Sequence, residues 1–235
     1  MKTNRARAAW LALAGITATA APLAAAETWR FDRLDRVGHA KMSVDGSPKL
    51  SPTPAGRVVA FDGKQDALTV SRHPLAGARA FTFEAVFRPD GGAFAQRWFH
   101  LAQSPAAAGE SIAKTPRMMF EIRVVGGQWY LDSFMTGPGY NHTLIDPTKL
   151  HPLGRWFHVA QTYDGRTYRS YVDGVLEAEA ATPFQPQGAG VTSVGTRINH
   201  VDYFHGAIYA ARFSRKARQP ASFMRVPAGL RSDKP

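Results

Sequence analysis

The sequence predicts an all-β chain, a two-sheet antiparallel sandwich, and three stretches carry that reading. Residues 155–180, RWFHVAQTYDGRTYRSYVDGVLEAEA, divide into three short runs of alternating apolar and polar residues separated by Asp164-Gly165 and Asp173-Gly174. Asp-Gly suits the positive φ angles of a tight hairpin, so the stretch reads as a three-stranded meander. Phe81, Phe83, Ala85 and Phe87 alternate with Thr82, Glu84 and Arg88, while Met118, Phe120, Ile122 and Val124 alternate with Met119, Glu121 and Arg123. A period of two puts one set between the sheets and the other on an exterior.

Lys2, Arg5 and Arg7 precede an apolar run from Ala8 to Ala21, and Ala24-Ala25-Ala26 supplies small residues for cleavage, the pattern of a secretory signal peptide over residues 1–26. Glu27 is then the expected mature N-terminus, and the expected location is periplasmic or extracellular. The run falls short of the roughly 18 strongly apolar residues of a membrane span, and no later segment supplies one. The chain contains no cysteine. That excludes disulfides, thiolate metal sites, cysteine nucleophiles and a lipid-anchored cysteine together.

Residues 27–235 suffice for a single sandwich domain that buries on the order of 70% of its unfolded surface. Three basic and no acidic residues lie in the leader, which leaves +8 of the formal +11 on the remainder. Arginine outnumbers lysine there, and a guanidinium grips a carboxylate or sulfate with two parallel hydrogen bonds. Acidic polysaccharide is the partner this charge suits, although an Arg-rich solvated surface without function accounts for it equally well. The basic residues are scattered and form no helix-turn-helix, zinc finger or aromatic RNA-binding motif, so nucleic acid is not expected.

Within residues 155–180, a Trp, a His-Val-Ala strand, a Tyr-Asp-Gly turn and a Tyr-Val-Asp-Gly turn follow in that order. This closely resembles the laminin-G-like (LamG) repeat of the concanavalin A-like lectin/glucanase superfamily, and the resemblance implies a jelly-roll topology. On that template Trp29–Asp32 resembles the opening strand, Val59–Gly63 the second and Phe81–Asp90 the third. Ser193-Val194-Gly195 and Phe204–Ile208 resemble the closing strands, and Arg212–Arg218 the last strand and a short terminal turn of helix. Arg97–Ser104 (RWFHLAQS) repeats Arg155–Thr162 (RWFHVAQT), so both segments read as strands.

The resemblance also implies a curved sheet whose concave exterior forms a groove used by related lectins and glycan-active enzymes. Glu84, Arg88, Glu121 and Arg123 are the candidates to line it, with Trp129 and Tyr140 as stacking surfaces for a sugar ring. The plainer alternative makes the charged four cross-strand salt bridges. His158 lies inside the family pattern and reads as structural, whereas His100, in the other copy of the repeat, is kept as a functional candidate. Met135–Ile145, MTGPGYNHTLI, reads as a Gly- and Pro-punctuated loop presenting Tyr140, Asn141 and His142.

Two functions follow from these residues, and the laminin-G-like resemblance also fits a third, protein adhesion or a structural surface role. The first is a secreted lectin-like domain that binds a polysaccharide, an acidic one being compatible with the charge. The second is a small polysaccharide-degrading enzyme. Related lyases neutralise a uronate with Arg and an amide while His or Tyr removes the C5 proton, for which Arg123, Asn141, His142 and Tyr140 supply the residue types. Hydrolysis needs two carboxyl groups about 5 to 9 Å apart, and Glu84 with Glu121 is the available pair. Family members often hold calcium through an acid near the second strand and another after the closing Gly-x-Ile. Asp62 suits the first place, but Tyr209 follows Gly206-Ala207-Ile208, so neither a tightly held calcium nor another cofactor is expected.

Overall fold

The computed structural model describes residues 26–105 and 109–231. The leader expected over residues 1–26 lies outside the described residues except for Ala26. Numbered in chain order, eight strands form sheet I: β1 (Glu27–Arg30), β4 (Lys49–Thr53), β5 (Gly56–Asp62), β7 (Phe81–Gly91), β13 (Phe157–Tyr163), β14 (Thr167–Val172), β15 (Val175–Ala181) and β17 (His205–Ser214). Nine form sheet II: β2 (Arg36–Val37), β3 (Ala40–Asp45), β6 (Ala67–Val70), β8 (Ala95–Gln103), β9 (Arg117–Val125), β10 (Gln128–Gly137), β11 (Tyr140–Ile145), β12 (His151–Pro152) and β16 (Gly190–Val194). Every recorded pairing is antiparallel. Sheet I runs β15-β14-β13-β7-β17-β5-β4 with β1 beside β17, and sheet II runs β11-β10-β9-β8-β16-β6-β3-β2 with β12 beside β10.

The meander is β13, β14 and β15. Asp173 and Gly174 have φ of 48° and 81°, so this turn twists with its strands, and the second position needs a residue indifferent to the left-handed region. The first turn differs from the expected two-residue form. Only Gly165 has positive φ, and the Asp164 carboxylate accepts the amides of Arg166 and Thr167 to close a longer loop.

Phe81, Phe83, Ala85 and Phe87 of β7 and Met118, Phe120 and Ile122 of β9 meet in one core. Phe83 and Phe120 lie 4.4 Å apart, centroid to centroid, and Trp98 stacks between Phe87 (4.3 Å) and Phe120 (5.2 Å). The register slips between Arg97 and Phe99, and this bulge lets the adjacent Trp98 and Phe99 both enter the core. Both copies of the internal repeat are strands, one in each sheet.

The end of the chain departs from expectation. Arg212, Phe213 and Ser214 complete β17, no α-helical turn follows, and residues 215–231 cross the exterior of sheet I with two short 3-10 turns. Phe223 packs on Tyr171 and His158, while Val226 and Leu230 pack on Val86. This strap buries the outward-facing Thr82, Glu84 and Val86 as completely as the core residues between them. Among the described residues no helix is long and apolar enough to cross a membrane.

Candidate functional site

The residues proposed for one groove fall on two opposite exteriors. β7 belongs to sheet I and β9 to sheet II, so Glu84 and Arg88 face away from Glu121 and Arg123. No sugar touches all four, and Glu84 with Glu121 cannot flank one glycosidic bond.

Glu84 anchors the strap. Its carboxylate accepts hydrogen bonds from Arg212 Nε (2.6 Å) and the Met224 amide (2.7 Å), and His158 Nε2 lies 2.9 Å away. Burial alone raises its pKa, but these partners outweigh it and hold the carboxyl below its ordinary range. His158 is thus structural, as its place in the motif implied. Arg88 pairs with Asp90 through two 2.7 Å bonds rather than with Glu84.

Trp129 and Tyr140 offer no stacking surface. Trp129 is fully buried against Phe87 and Phe157, because alternation along β10 turns it inward. Residues 140–142 are strand rather than loop: only Pro138-Gly139 turns the chain, and β11 pairs with β10 from Tyr140 onward. Successive residues therefore diverge. Tyr140 is buried, with its hydroxyl donating to the Gln185 carbonyl (3.3 Å) and accepting from Gln187 Nε2 (3.1 Å), and burial raises its pKa. Asn141 is exposed on the outer face, and His142 is half-buried at the register position opposite the core residue Met135. The set Arg123, Asn141, His142 and Tyr140 proposed for elimination is split across the two sides of a sheet.

What the fold does assemble is the exterior of β8, β9, β10 and β11. Its cross-strand rows are Ala102, Arg117, Thr136 and Asn141; then His100, Met119, Phe134 and Thr143; then Arg97, Glu121, Asp132 and Ile145; then Ala95, Arg123 and Tyr130. His100, Glu121, Arg123 and Asn141 from the sequence reading share this face, and Arg97, Arg117, Asp132 and Phe134 join them. The Arg117–Arg123 alternation was visible in sequence. Asp132 was hidden, because Tyr130 and Phe134 place aromatic rings on the same side as the acid and blur the period of β10.

Two carboxylates lie at the floor of this face under guanidiniums. Glu121 accepts from Arg97 Nε and Arg123 Nη2, each at 3.1 Å, and Arg123 Nη2 also reaches Asp132 Oδ2 at 2.5 Å. Arg97 further pairs with Asp202 in the loop after β16. Despite its arginine partner, Asp132 has its pKa raised to about 6. Burial and the facing Glu121 carboxylate disfavour its charge more strongly than Arg123 and Arg97 favour it.

His100 is fully buried, and its Nδ1 accepts the Ile198 amide at 3.0 Å. Burial, then Arg117, Arg197 and Arg97, hold its pKa well below the ordinary histidine range, so the ring is neutral and carries its proton on Nε2. Nine buried side-chain polar atoms lack a protein partner among the described residues. Five belong to this face and the Arg197 loop covering its edge: His100 Nε2, Arg117 Nε, Arg123 Nη1, Asp132 Oδ1 and Arg197 Nε. Two rings accompany the guanidiniums: Arg123 lies 5.9 Å from the centroid of Phe94, which is 59% exposed, and Arg117 lies 5.3 Å from that of Phe134.

Calcium has a poor donor set here. Burial is the largest single influence on the Asp62 pKa and raises it, but Oδ1 accepts the amides of Lys64, Gln65 and Asp66, which together hold the pKa down, and Asp66 caps Ser47 and Asp62. Tyr209 occupies the place of the second acid, and a hard cation wants six to eight oxygens.

Residues 62–222 match the Laminin_G_3 family model of the concanavalin A-like lectin/glucanases superfamily. The chain belongs to this family. A laminin-G-like chain with this sandwich is similar in structure to domain 4 of AbnA, an extracellular arabinanase from Geobacillus stearothermophilus, in complex with arabinotriose. The TM-score is 0.62 at 17% identity, covering 83% of this chain and 94% of that one. It is also similar to the Ruminococcus gnavus IT-sialidase CBM40 bound to α2,3-sialyllactose, with a TM-score of 0.52 at 14% identity over 75% of this chain and 94% of that one. At these identities the likeness establishes the fold. In sequence it is 27% identical over 141 residues to mouse pappalysin-1, matching 55% of this chain and 8% of that relative's length.

Proposed function

We propose that the chain is a secreted carbohydrate-binding module that presents the exterior of β8–β11 to an acidic polysaccharide. The carrying observation is the concentration of unpartnered buried polar atoms on that face. Such groups are rare in folded proteins, and on this reading ligand oxygens accept from the four donors among them while a ligand hydroxyl donates to Asp132 Oδ1. Arg97, Arg117 and Arg123 supply forked donors for a uronate or sulfate, and Phe94 and Phe134 take the stacking role first given to Trp129 and Tyr140. The saccharides held by the arabinanase domain and the sialidase module support saccharide binding on this fold.

Binding is favoured over elimination because the neutral His100 presents an N–H rather than a lone pair toward the face, and because Tyr140 and His142 do not join Arg123 there. A periplasmic or extracellular site of action and independence from calcium belong to the same proposal.

A glycan array followed by calorimetry on the hits tests it. Uronate-containing chains should bind, salt should weaken binding, and Arg123→Ala and Arg117→Ala should each weaken it by about tenfold or more, since each removes a hydrogen bond to a charged group. Unsaturated product appearing in ultraviolet absorbance would establish a lyase instead. Affinity indifferent to both substitutions would place the site elsewhere.

A further inference from the structure

A second cleft, of about 440 Å3, opens on the opposite exterior where the strap leaves β7 and passes the start of β13. Its size falls within the roughly 300–1,000 Å3 of small-ligand sites. Arg155, Trp156, Asp173, Phe223, Arg225 and Arg231 are among its lining residues. The strap cannot shift freely, because Glu84 holds the Met224 amide and Arg212 Nη2 donates to the Ser222 carbonyl at 2.7 Å. The cleft is therefore built into the fold.

Its charge is one-sided. Arg155 and Arg225 are exposed and have no ion-pair partner among the described residues. Among the described residues the Arg231 side chain donates to a carbonyl, that of Val226. The one lining carboxylate, Asp173, already accepts the His158 amide at 2.8 Å. Glu84 beneath is neutralised by Arg212. Trp156, half-buried and packed against the cluster of Val86, Val226 and Leu230, is the one tryptophan not fully buried among the described residues, since Trp29, Trp98 and Trp129 are fully buried. The Arg88 guanidinium lies 5.4 Å from its centroid.

We infer that this cleft is a second saccharide site, taking a short anionic oligosaccharide whose carboxylate or sulfate groups engage Arg155 and Arg225 while one ring rests on Trp156. The inference extends the proposed function to a site on the other sheet, and it makes the module bivalent. Two faces pointing in opposite directions would join separate polysaccharide chains, with a gain in avidity that neither face has alone.

Calorimetry and tryptophan fluorescence with a defined oligouronate and a sulfated oligosaccharide test the assignment, comparing the natural protein with Arg155→Ala/Arg225→Ala and Arg117→Ala/Arg123→Ala variants. One of the two ligands should bind with a stoichiometry of two, accompanied by a fluorescence change. The strap-cleft variant should abolish the fluorescence change, weaken one site at least about tenfold, and leave the other intact. The sheet II variant should retain the fluorescence-linked site, which separates failure of this inference from failure of the first site. Circular dichroism and a thermal melt check that the substitutions, all at exposed or half-buried arginines, leave the fold unchanged. No fluorescence-linked binding of either ligand, or such binding undiminished by Arg155→Ala/Arg225→Ala, overturns the assignment.

Discussion

Replacing Asp132 with Asn should stabilise this protein at neutral pH, although it removes one partner of a 2.5 Å ion pair with Arg123. Folding raises the Asp132 pKa from 3.8 to about 6, and that displacement already includes the attraction of Arg123 and Arg97. At about 1.4 kcal/mol per pH unit, the folded state bears up to about 3 kcal/mol for keeping this carboxylate ionised. The sign follows from linkage. A raised carboxyl pKa means that the folded chain holds a proton the unfolded chain has released, so stability falls as pH rises from about 4 to 6 and stays low above. Asn keeps the shape and an acceptor for Arg123 without the charge facing Glu121. Urea unfolding of the natural and Asp132→Asn proteins between pH 3.5 and pH 8 measures the difference, with pH values chosen to bracket the transition from about 3.8 to 6. A gain of about 1–3 kcal/mol at pH 7.5 that vanishes below about pH 4 is expected. Loss of stability on substitution, or a gain independent of pH, would mean that the Asp132 charge does not burden the folded state.

Glu84→Ala should cost about 3–5 kcal/mol, because it leaves Arg212 and the Met224 amide without their acceptor and frees the strap; unfolding midpoints and limited proteolysis of residues 215–231 report both effects. The natural protein should also lose this contribution on acidification below the ordinary glutamate range near 4.5, since the folded pKa is depressed. Trp129→Ala should cost about 3–5 kcal/mol through the cavity left between Phe87 and Phe157, with glycan affinity unchanged in the protein that remains folded. Calorimetric titration of chelator-treated protein should show no micromolar calcium site; a site of that affinity would overturn the reading of Asp62 as a turn-closing residue.

The alternation of β7 and β9 was legible because large apolar side chains mark every second position, and the meander because Asp-Gly marks its turns. Alternation distinguishes inside from outside but not one exterior from the other, so it cannot separate the face of Glu84 from that of Glu121. Pairing partners decide that, and β7 lies between β13 and β17 whereas β9 lies between β8 and β10. Tyr140 is hard to place for a related reason: four turn-forming residues in 135–145 read as a long loop, while Pro138-Gly139 alone makes the turn. The strap left one sign in the sequence. Val86 is apolar at an outward position, which a solvated strand has no reason to favour and a covered one does. The buried Asp132 left no such sign, since its environment is assembled from three strands and a loop.

Backbone amide mapping by NMR during titration with the polysaccharide fragment that binds best locates the binding face. A ligand seated on the exterior of sheet II shifts amides along β8, β9 and β10, concentrated at Arg97, Arg117, Arg123 and Phe134, whatever else responds. Saturable binding that leaves these three strands unperturbed would contradict a site on that exterior.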